Sequence, residues 1–357
     1  MTKARTNASV APAVGRNMII NGAMNLSQRA VSVTGLGAAS GYFTVDRWKI
    51  LRDATAGRFT MTQTADGPNG ISANCLKLDC TTADASIAAG EHIILRQPIE
   101  GQNVQRIGKG VVGAKQVTVS FYVKASASFT FGCELFDVTA ERQCTKLFST
   151  TTDWVRHEII FPPDVDDGSS PFNDDNTNEL ELNFWLHAGS TFTGGTLNTA
   201  AFANQSSANR APGIDSIFSN TANNFFLTGV QLEVGPVASE FEQEDFSTTL
   251  AKCQRYYEQS YDIGTFAGAT TQSSVEAIRQ QGSNGVTTVQ FKQNKRAAPT
   301  MVYYSSASGT SGKARNNDAG ADVNCASLNN GQVSNGVVIS GADEAYLHYH
   351  YTADAEL

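Results

Sequence analysis

Residues 225–261, FFLTGVQLEVGPVASEFEQEDFSTTLAKCQRYYEQSY, decide how the fold is interpreted. The first part predicts a buried strand, because apolar side chains recur at even positions: Phe226, Val230, Leu232 and Val234. Gly235-Pro236 ends this strand, since proline has no N–H to donate to a sheet. The second part predicts an amphipathic helix that begins at Asp245 or Ser247. Its apolar stripe consists of Phe246, Leu250, Cys253, Tyr257 and Tyr261.

The rest of the chain is also rich in strand patterns. Apolar and polar residues alternate over 117–123, 129–135, 154–161 and 180–186, and long polar loops separate these segments. Almost no helical pattern intervenes, so the sequence predicts an all-β protein: an antiparallel jelly-roll β-sandwich closed by one helix. Shorter strands around 286–292, 300–305, 336–339 and 345–351 predict an additional small C-terminal β domain, with turns of Gly, Asn and Asp between them.

These patterns divide the chain into four parts. We predict an N-terminal arm over 1–15, the jelly roll with its closing helix over 16–261, a linker over 262–274, and the small β domain over 275–357. A sheet as small as the last one is marginal alone. Packing against symmetry-related copies would supply the missing burial, and this favours a homotrimer.

Composition narrows the classes of partner. The chain has 357 residues, of which 17% are charged, and its formal net charge is −8. An acidic chain without long basic runs is a poor ligand for nucleic acid. No apolar stretch approaches the roughly 20 residues of a membrane span. The six cysteines form no CxxC pair, so buried free thiols are expected, with a Cys133–Cys144 bridge as the alternative.

Three segments resemble a family of tailed-bacteriophage virion proteins that includes tail fibre and tail structural proteins. They are VQLEVGPVASEFE with FSTTLAKCQRYYEQSY, RNMIINGAMNLSQRA over 16–30 followed by Asp46-Arg47-Trp48, and YTADAEL over 351–357. Together the segments cover about a fifth of the chain and occur in the family's order. The strand pattern between them is similar to that of carbohydrate-binding-module jelly rolls.

The resemblance implies a non-enzymatic virion protein that is assembled in the bacterial cytoplasm. A trimeric tail fibre or tail-associated protein would contact other virion proteins and host-surface glycan, and a capsid decoration or head-fibre protein is the alternative. In this family the N-terminal side is expected to engage the particle. The candidate attachment residues are Arg16, Met18, Ile19, Ile20, Asn21, Asp46, Arg47 and Trp48. The same residues are equally explained as a first strand and its packing partner.

Exposed aromatic residues are candidates for glycan contact, because sugars stack their CH groups on ring faces. Trp185 lies on the polar side of its strand, so its ring is a candidate for a solvent-facing surface or groove. The C-terminal domain offers Tyr303, Tyr304 and Tyr346. Core or subunit-interface positions are the alternative for each of them.

Two groups of residues could hold a metal ion, although no cofactor is required. Asp164, Asp166 and Asp167 lie in one loop, where a structural calcium is one interpretation and turn-forming carboxylates are the other. His348 and His350 project to one face of a strand. In a trimer they would bring six imidazoles to the axis, whereas two histidines on the last strand explain them without metal.

No catalytic signature stands out. GxSxG, Walker and Rossmann motifs are absent, and the histidines form no triad pattern. A glycan-cleaving tail enzyme would need two carboxylates facing a sugar. Glu179, Glu181 and Glu233 lie on predicted strands, and the first two share one face, although solvent-facing strand residues also explain them. The sequence therefore favours a binding protein over an enzyme.

Overall fold

The computed structural model describes residues 15–165, 171–279, 282, 284–340 and 345–357. The first thirteen strands are β1 (Ser32–Leu36), β2 (Gly41–Tyr42), β3 (Lys49–Asp53), β4 (Arg58–Thr64), β5 (Cys75–Thr82), β6 (His92–Glu100), β7 (Val117–Ala125), β8 (Thr130–Asp137), β9 (Arg142–Ser149), β10 (Val155–Phe161), β11 (Asn178–Ala188), β12 (Ala203–Asn204) and β13 (Asn224–Val234). The remainder are β14 (Tyr257–Gln259), β15 (Glu276–Arg279), β16 (Asn284–Gln290), β17 (Thr300–Ser305), β18 (Lys313–Asn316), β19 (Ala321–Asn330), β20 (Ser334–Ser340) and β21 (Tyr346–Asp354). The helices are α1 (Gly101–Val104), α2 (Ser190–Thr193) and α3 (Phe246–Gln254).

Two antiparallel sheets form the jelly-roll β-sandwich that the sequence predicts. The first sheet has the strand order β1-β4-β5-β13-β7-β10, and the second has the order β12-β9-β8-β11-β6-β3-β2. Along each strand, every second side chain points into the core between the two sheets. In this core, Phe121 of β7 meets Phe184 of β11 edge to face, with ring centres 5.0 Å apart. Both rings are fully buried. The all-β prediction is confirmed.

Strand β13 departs from a simple alternation. Phe225 and Leu227 enter the core, whereas Phe226, which we placed on the inner face, is only half-buried on the outer face. The pairing of β13 with β7 shifts register between Thr228 and Gln231, and Gly229 adopts φ +61° there. A bulge of this kind reverses the side to which the preceding residues point. The predicted inner-face position of Phe226 is therefore wrong.

The closing helix is shorter than predicted. Asp245 caps α3, because its carboxylate accepts from the N–H of Thr248, and the helix ends at Gln254. Tyr257 lies in strand β14 and Tyr261 follows that strand, so neither belongs to a helical stripe. The chain turns after Cys253, whose carbonyl accepts from the N–H of Tyr256. This turn brings the tyrosines under the arginines described below.

A third sheet contains the C-terminal strands. Its order is β14-β21-β18-β19-β20-β16, with β15 and β17 also paired to β21. Strands β18 and β19 fall where we predicted turns, and β14 lies within the range 16–261 that we assigned to the jelly roll. The predicted linker 262–274 contains no strand or helix and hydrogen-bonds to β21 through Gln272 and Thr271. The division into domains stays a prediction, as does the arm, of which only Gly15 is described.

Two further expectations can be compared with the described residues. All six cysteines are buried and free, which confirms the prediction of unpaired thiols. Among the residues with described positions, no helix combines the length and apolar character needed to cross a membrane.

Candidate functional site

The three segments that resemble the virion family meet in the structure at one group of charged and aromatic side chains, most of which are buried. We call this group the junction cluster, and it consists of Arg29, Asp46, Arg47, Tyr256, Tyr257, Asp354 and Glu356. The segment at 16–48 supplies the arginines and Asp46, the turn after α3 supplies the tyrosines, and the C-terminal residues supply the other two carboxylates. The cluster therefore joins the sandwich to the third sheet.

Arg47 is at the centre of the junction cluster, with 1% of its side chain exposed. Its guanidinium pairs with the Glu356 carboxylate and donates to the carbonyl of Pro98 at 2.8 Å. It also lies over the Tyr256 ring, 3.4 Å from the ring centre. Burial is the largest single influence and opposes the charge, but Glu356, Tyr256 and further neighbouring groups together outweigh it and raise the pKa of Arg47. Such partners are required because an unpaired buried charge is strongly destabilising.

Asp46 and Arg29 form the second half of the junction cluster. Asp46 accepts from the backbone and side-chain nitrogens of Gln28 at 3.0 and 2.6 Å. Arg29 lies 3.9 Å from Asp46 and donates to Asp354 at 3.0 Å. Burial raises the pKa of Asp46 to about 6, although Arg29 and Gln28 counteract it. The cluster thus contains a carboxyl group that titrates near neutral pH.

The predicted attachment residues are structural. Met18, Ile19, Asn21, Asp46, Arg47 and Trp48 are buried. Ile20 is half-buried and bonded to Gln97, and Arg16 donates to the carbonyl of Glu240. The sequence does not form the first strand that we considered, because Met18 and Asn17 instead bond to Leu232 of β13 from an irregular segment. The six buried side chains present no free surface in this chain, which favours the packing role, and the attachment role stays a prediction.

Trp185 is not a glycan-facing ring. It is fully buried, and its indole N–H donates to the Glu134 carboxylate at 2.9 Å. Residues 189–214 cross the outer face of the second sheet, so that Phe192 and Ile214 pack on this indole. The alternation correctly assigned Trp185 to the outer side of its strand, but it did not indicate that a loop covers that side.

The three candidate tyrosines have different environments. Tyr303 is buried in the core of the third sheet, and its hydroxyl contacts Ser327 and Asn335, so its predicted exposure is wrong. Tyr304 is half-buried against Tyr261, with ring centres 6.3 Å apart. Tyr346 is 41% exposed. Only Tyr346 of these candidates has the exposure that the prediction requires.

The surroundings of His348 and His350 also differ from those expected of the predicted metal site. His350 is fully buried, stacks on Tyr261, and has both ring nitrogens within hydrogen-bond distance of Ser260 and Thr271. A metal ligand needs a free nitrogen lone pair. His348 bonds through Nδ1 to Gln272 at 2.8 Å. His350 is therefore occupied by hydrogen bonds, and the pair does not form the predicted site.

The predicted calcium loop lies partly outside the described residues. Asp166 and Asp167 fall there, whereas Asp164 is buried and bound by the guanidinium of Arg142 in two bonds of 3.0 and 2.9 Å. This ion pair occupies the Asp164 carboxylate, so that residue is not a solvated calcium ligand.

The carboxylates considered for glycan cleavage are buried instead of solvent-facing. Glu179 accepts from Thr139 and from the side chain of Asn173 at 2.8 and 2.9 Å. Glu181 pairs with Arg96 at 2.7 Å. Both carboxylates therefore tie loops and strands together within the sheet.

A different surface combines aromatic rings with charged groups. The outer face of the first sheet carries three half-buried aromatic side chains beside two lysines. We call this group the open-face cluster: Lys77, Tyr122, Lys124, Trp154 and Phe226. Lys77 and Phe226 are cross-strand partners on β5 and β13, and Phe226 and Lys124 are partners on β13 and β7. The row therefore crosses three neighbouring strands.

Charge pairs hold the open-face cluster in place. The Lys124 ammonium lies 4.8 Å from the centre of the Phe226 ring and 5.2 Å from that of Trp154. It pairs with the half-exposed Asp66 at 2.7 Å, and the Trp154 indole donates to the Asp66 carbonyl at 3.1 Å. The rings are thus fixed in orientation while remaining partly accessible. This surface can stack on an apolar ring face and hydrogen-bond to neighbouring hydroxyl groups.

Sequence reasoning missed the open-face cluster, although signals for it were present. In 154–161 the residues Val155, Ile159 and Phe161 point inward, so Trp154 falls on the outer side by the same alternation. A glycine within a strand indicates a bulge, and Gly229 was therefore a warning that Phe226 is out of phase. The proximity of Asp66 had no comparable signal.

Comparisons with known proteins give structural neighbours only. No protein-family model matches the sequence, and a search of curated proteins finds no match. The chain is similar to a CBM4 carbohydrate-binding module, with a TM-score of 0.31 and 12% identity over 60% of this chain and 98% of that one. It is similar to a family 11 carbohydrate-binding module from Clostridium thermocellum, solved with a β-1,3-1,4-mixed-linked tetrasaccharide, with a TM-score of 0.28 and 13% identity over 59% and 99%.

The enzymatically active domain of bacteriophage CBA120 tailspike protein 4 is also similar, with a TM-score of 0.31 and 10% identity over 62% of this chain and 22% of that one. At these identities and scores, function has to be argued from the residues of the chain itself.

Proposed function

We propose that this protein is a non-enzymatic component of a tailed-phage particle that binds host-surface glycan through the open-face cluster. The proposal of glycan binding rests on the row of partly accessible aromatic rings on the first sheet. The proposal of a phage-particle component is supported by the resemblance of the segments at 16–48, 230–261 and 351–357 to tailed-bacteriophage virion proteins.

The contrast between the two outer faces supports the choice of surface. Loops bury the aromatic residue of the second sheet, whereas Trp154 and Phe226 keep part of their rings accessible. Large aromatic side chains bury 150–250 Å² when covered, so leaving two of them partly in water on a stable sheet is unfavourable unless something else covers them. A pyranose ring has both the apolar face and the hydroxyl groups that match this surface.

Weak sites of this kind become effective when several copies act together. A homotrimer in a particle would present three open-face clusters, and linked sites gain avidity without any new contact. We expect a tail fibre or tail-associated location, with capsid decoration as the alternative.

Glycan binding by two alanine variants tests the proposal. Trp154→Ala and Phe226→Ala each remove one ring, and we expect each to weaken binding to a bacterial surface polysaccharide about tenfold, which corresponds to about 1.4 kcal/mol of stacking. Binding would be measured on a glycan array and by affinity electrophoresis. Tyr346→Ala is measured beside them, because Tyr346 is the exposed ring among the earlier candidates: unchanged binding in this variant supports the open-face cluster, and a loss in this variant alone would place the site on the third sheet.

Three other outcomes would count against the proposal. Equal binding by both variants and the original protein would remove the open-face cluster as the site. Release of shortened glycan products would favour a tail enzyme. Failure to bind any glycan, with capsid labelling of intact virions by an antibody against 275–357, would favour decoration of the head.

A further inference from the structure

One buried cluster brings together groups that commonly bind metal ions, and it lies apart from the surfaces discussed above. Asp84 follows β5, Glu91 precedes β6, and His187 lies near the end of β11. One ligand atom of each lies within 4.8 Å of those of the other two. The exposed fractions of these residues are 5%, 6% and 0%. A carboxylate pair and an imidazole are thus enclosed at one end of the sandwich.

Two atoms of this cluster have no hydrogen-bond partner among the described residues. They are Glu91 Oε2 and His187 Nε2, both buried. They lie 3.6 Å apart, which is longer than a hydrogen bond between them should be. Burying polar atoms without a partner is unfavourable. Because the two atoms lie 3.6 Å from each other, one cation bound between them would satisfy both.

The surrounding residues orient each of the three groups. Ser216 Oγ lies 2.7 Å from His187 Nδ1, which leaves Nε2 as the nitrogen that faces Glu91. Asp84 accepts three hydrogen bonds: from the hydroxyl of Thr55 at 2.9 Å, from the N–H of Ala56 at 3.0 Å and from the N–H of Ser86 at 3.2 Å. A carboxylate has about four acceptor positions, so Asp84 can still bind an ion.

Gly189 allows the loop that carries Glu91 and the end of β11 to approach each other closely. A Cβ atom on Gly189 would lie 2.0 Å from the carbonyl oxygen of Ala88, so no other residue fits there without movement. The N–H of Gly189 donates to the carbonyl of Glu91 at 2.8 Å. This close contact sets the loop that carries Glu91 directly against the strand end that carries His187.

We propose that Asp84, Glu91 and His187 bind one divalent transition-metal ion, for which Zn²⁺ is the appropriate probe. Imidazole favours zinc-class ions over calcium and magnesium, which prefer oxygen ligands alone. Tetrahedral ligands at about 2.0–2.2 Å from zinc lie roughly 3.4 Å from each other, close to the separation of the two unpartnered atoms. Water would occupy the fourth position. Because Asp84 follows a strand of the first sheet and the other ligands belong to the second, the ion would join the two sheets.

Zinc titration of the full chain tests the proposal. After treatment with chelator, we expect one Zn²⁺ per chain by calorimetry, and a rise in Tm of about 5 °C when free zinc is a hundredfold above Kd. Glu91→Gln and His187→Gln should each weaken binding at least about tenfold and, at the same free zinc concentration, reduce the rise in Tm to about half or less. His92→Gln is the matched control, because its ring packs on Trp185 and Phe192 instead of facing the cluster.

Two results would overturn the proposal. One is unchanged zinc affinity in both Glu91→Gln and His187→Gln, which would place the ion on other carboxylates. The other is the absence of stoichiometric zinc binding by the original protein, including the case in which only calcium binds. If a variant fails to fold, ¹⁵N NMR of the original protein still decides the matter. Of the five histidines, His187 must then be the one whose ring nitrogens shift on addition of zinc, and a shift at another histidine alone would contradict the proposal.

Discussion

The two outer faces of the sandwich follow the same alternation and have opposite surroundings. On the second sheet, Trp185 is fully buried beneath residues 189–214 and bonded to Glu134. On the first sheet, Trp154 and Phe226 remain partly accessible beside Lys124. Both tryptophans lie on the outer side of a strand, yet only one of them has a covering loop. The side of a strand on which a residue lies therefore does not determine its exposure.

The charged groups show the same contrast. Those of the junction cluster are paired and, apart from Asp354 with 42% of its side chain exposed, largely buried, and they connect the sandwich with the third sheet. Those of the open-face cluster are also paired, but half of the Asp66 side chain is exposed. Exposed pairs contribute at most about 1 kcal/mol, whereas breaking a buried pair typically costs about 3–5 kcal/mol. Stability should thus depend on the covered regions, while binding should depend on the open one.

Tryptophan substitutions should give the largest difference between the two faces. Trp185→Ala removes a fully buried indole, and we expect it to lower the free energy of unfolding by about 3–5 kcal/mol. Trp154→Ala removes a partly accessible indole and should lower it by no more than about 1 kcal/mol. Urea unfolding followed by far-UV circular dichroism measures both. Similar losses for the two variants would show that the open face is covered in solution.

The pH dependence of stability should distinguish a covered carboxylate from an open one. Burial raises the pKa of Asp46 from its ordinary value of 3.8 to about 6 in the folded protein. Its stabilising contribution is therefore fully present below about pH 3.8 and is lost as the pH rises through about 6. Relative to Asp46→Asn, the original protein should lose up to about 3 kcal/mol between pH 4 and pH 7.

Urea unfolding at several pH values measures this difference. Asp79→Asn is the matched control, because Asp79 is an exposed carboxylate on the first sheet. For it, the difference from the original protein should change by less than about 0.5 kcal/mol over the same range. A difference for Asp46→Asn that is flat, or that grows in favour of the original protein as the pH rises, would contradict the prediction.

The fold was largely predictable because period-two alternation is a local property. The segments 117–123, 129–135, 154–161 and 180–186 all contain strands of the sandwich. Errors arose where contacts distant in sequence decide the structure. The helix ends at Gln254, and beyond it the rings of Tyr256 and Tyr257 lie beneath Arg47 and Arg29. No local sequence pattern predicts these contacts.

The candidate sites were harder to predict for the same reason. Trp185 and Tyr303 are aromatic residues of the type expected at a glycan site, but their burial depends on loops and strands that the sequence does not position. Asp84, Glu91 and His187 come from three segments without a recognisable spacing, so only the fold brings them together. Phe226 is the instructive exception, because Gly229 within its strand was a local signal of the bulge.

The bulge at Gly229 gives the smallest expected effect and the most direct link between fold and open face. Gly229→Ala places a Cβ at φ +61°, 2.9 Å from side-chain atoms of Ile71 and Tyr122. We expect a loss of about 1–2 kcal/mol in unfolding free energy and weaker glycan binding, because the ring of Tyr122 must move. Gly35→Ala is the matched control, since Gly35 has φ +72° and nothing within 4 Å of an added Cβ. It should show the backbone effect on stability alone. If Gly35→Ala weakens binding as much as Gly229→Ala does, the position of Tyr122 is not what makes the open face competent to bind.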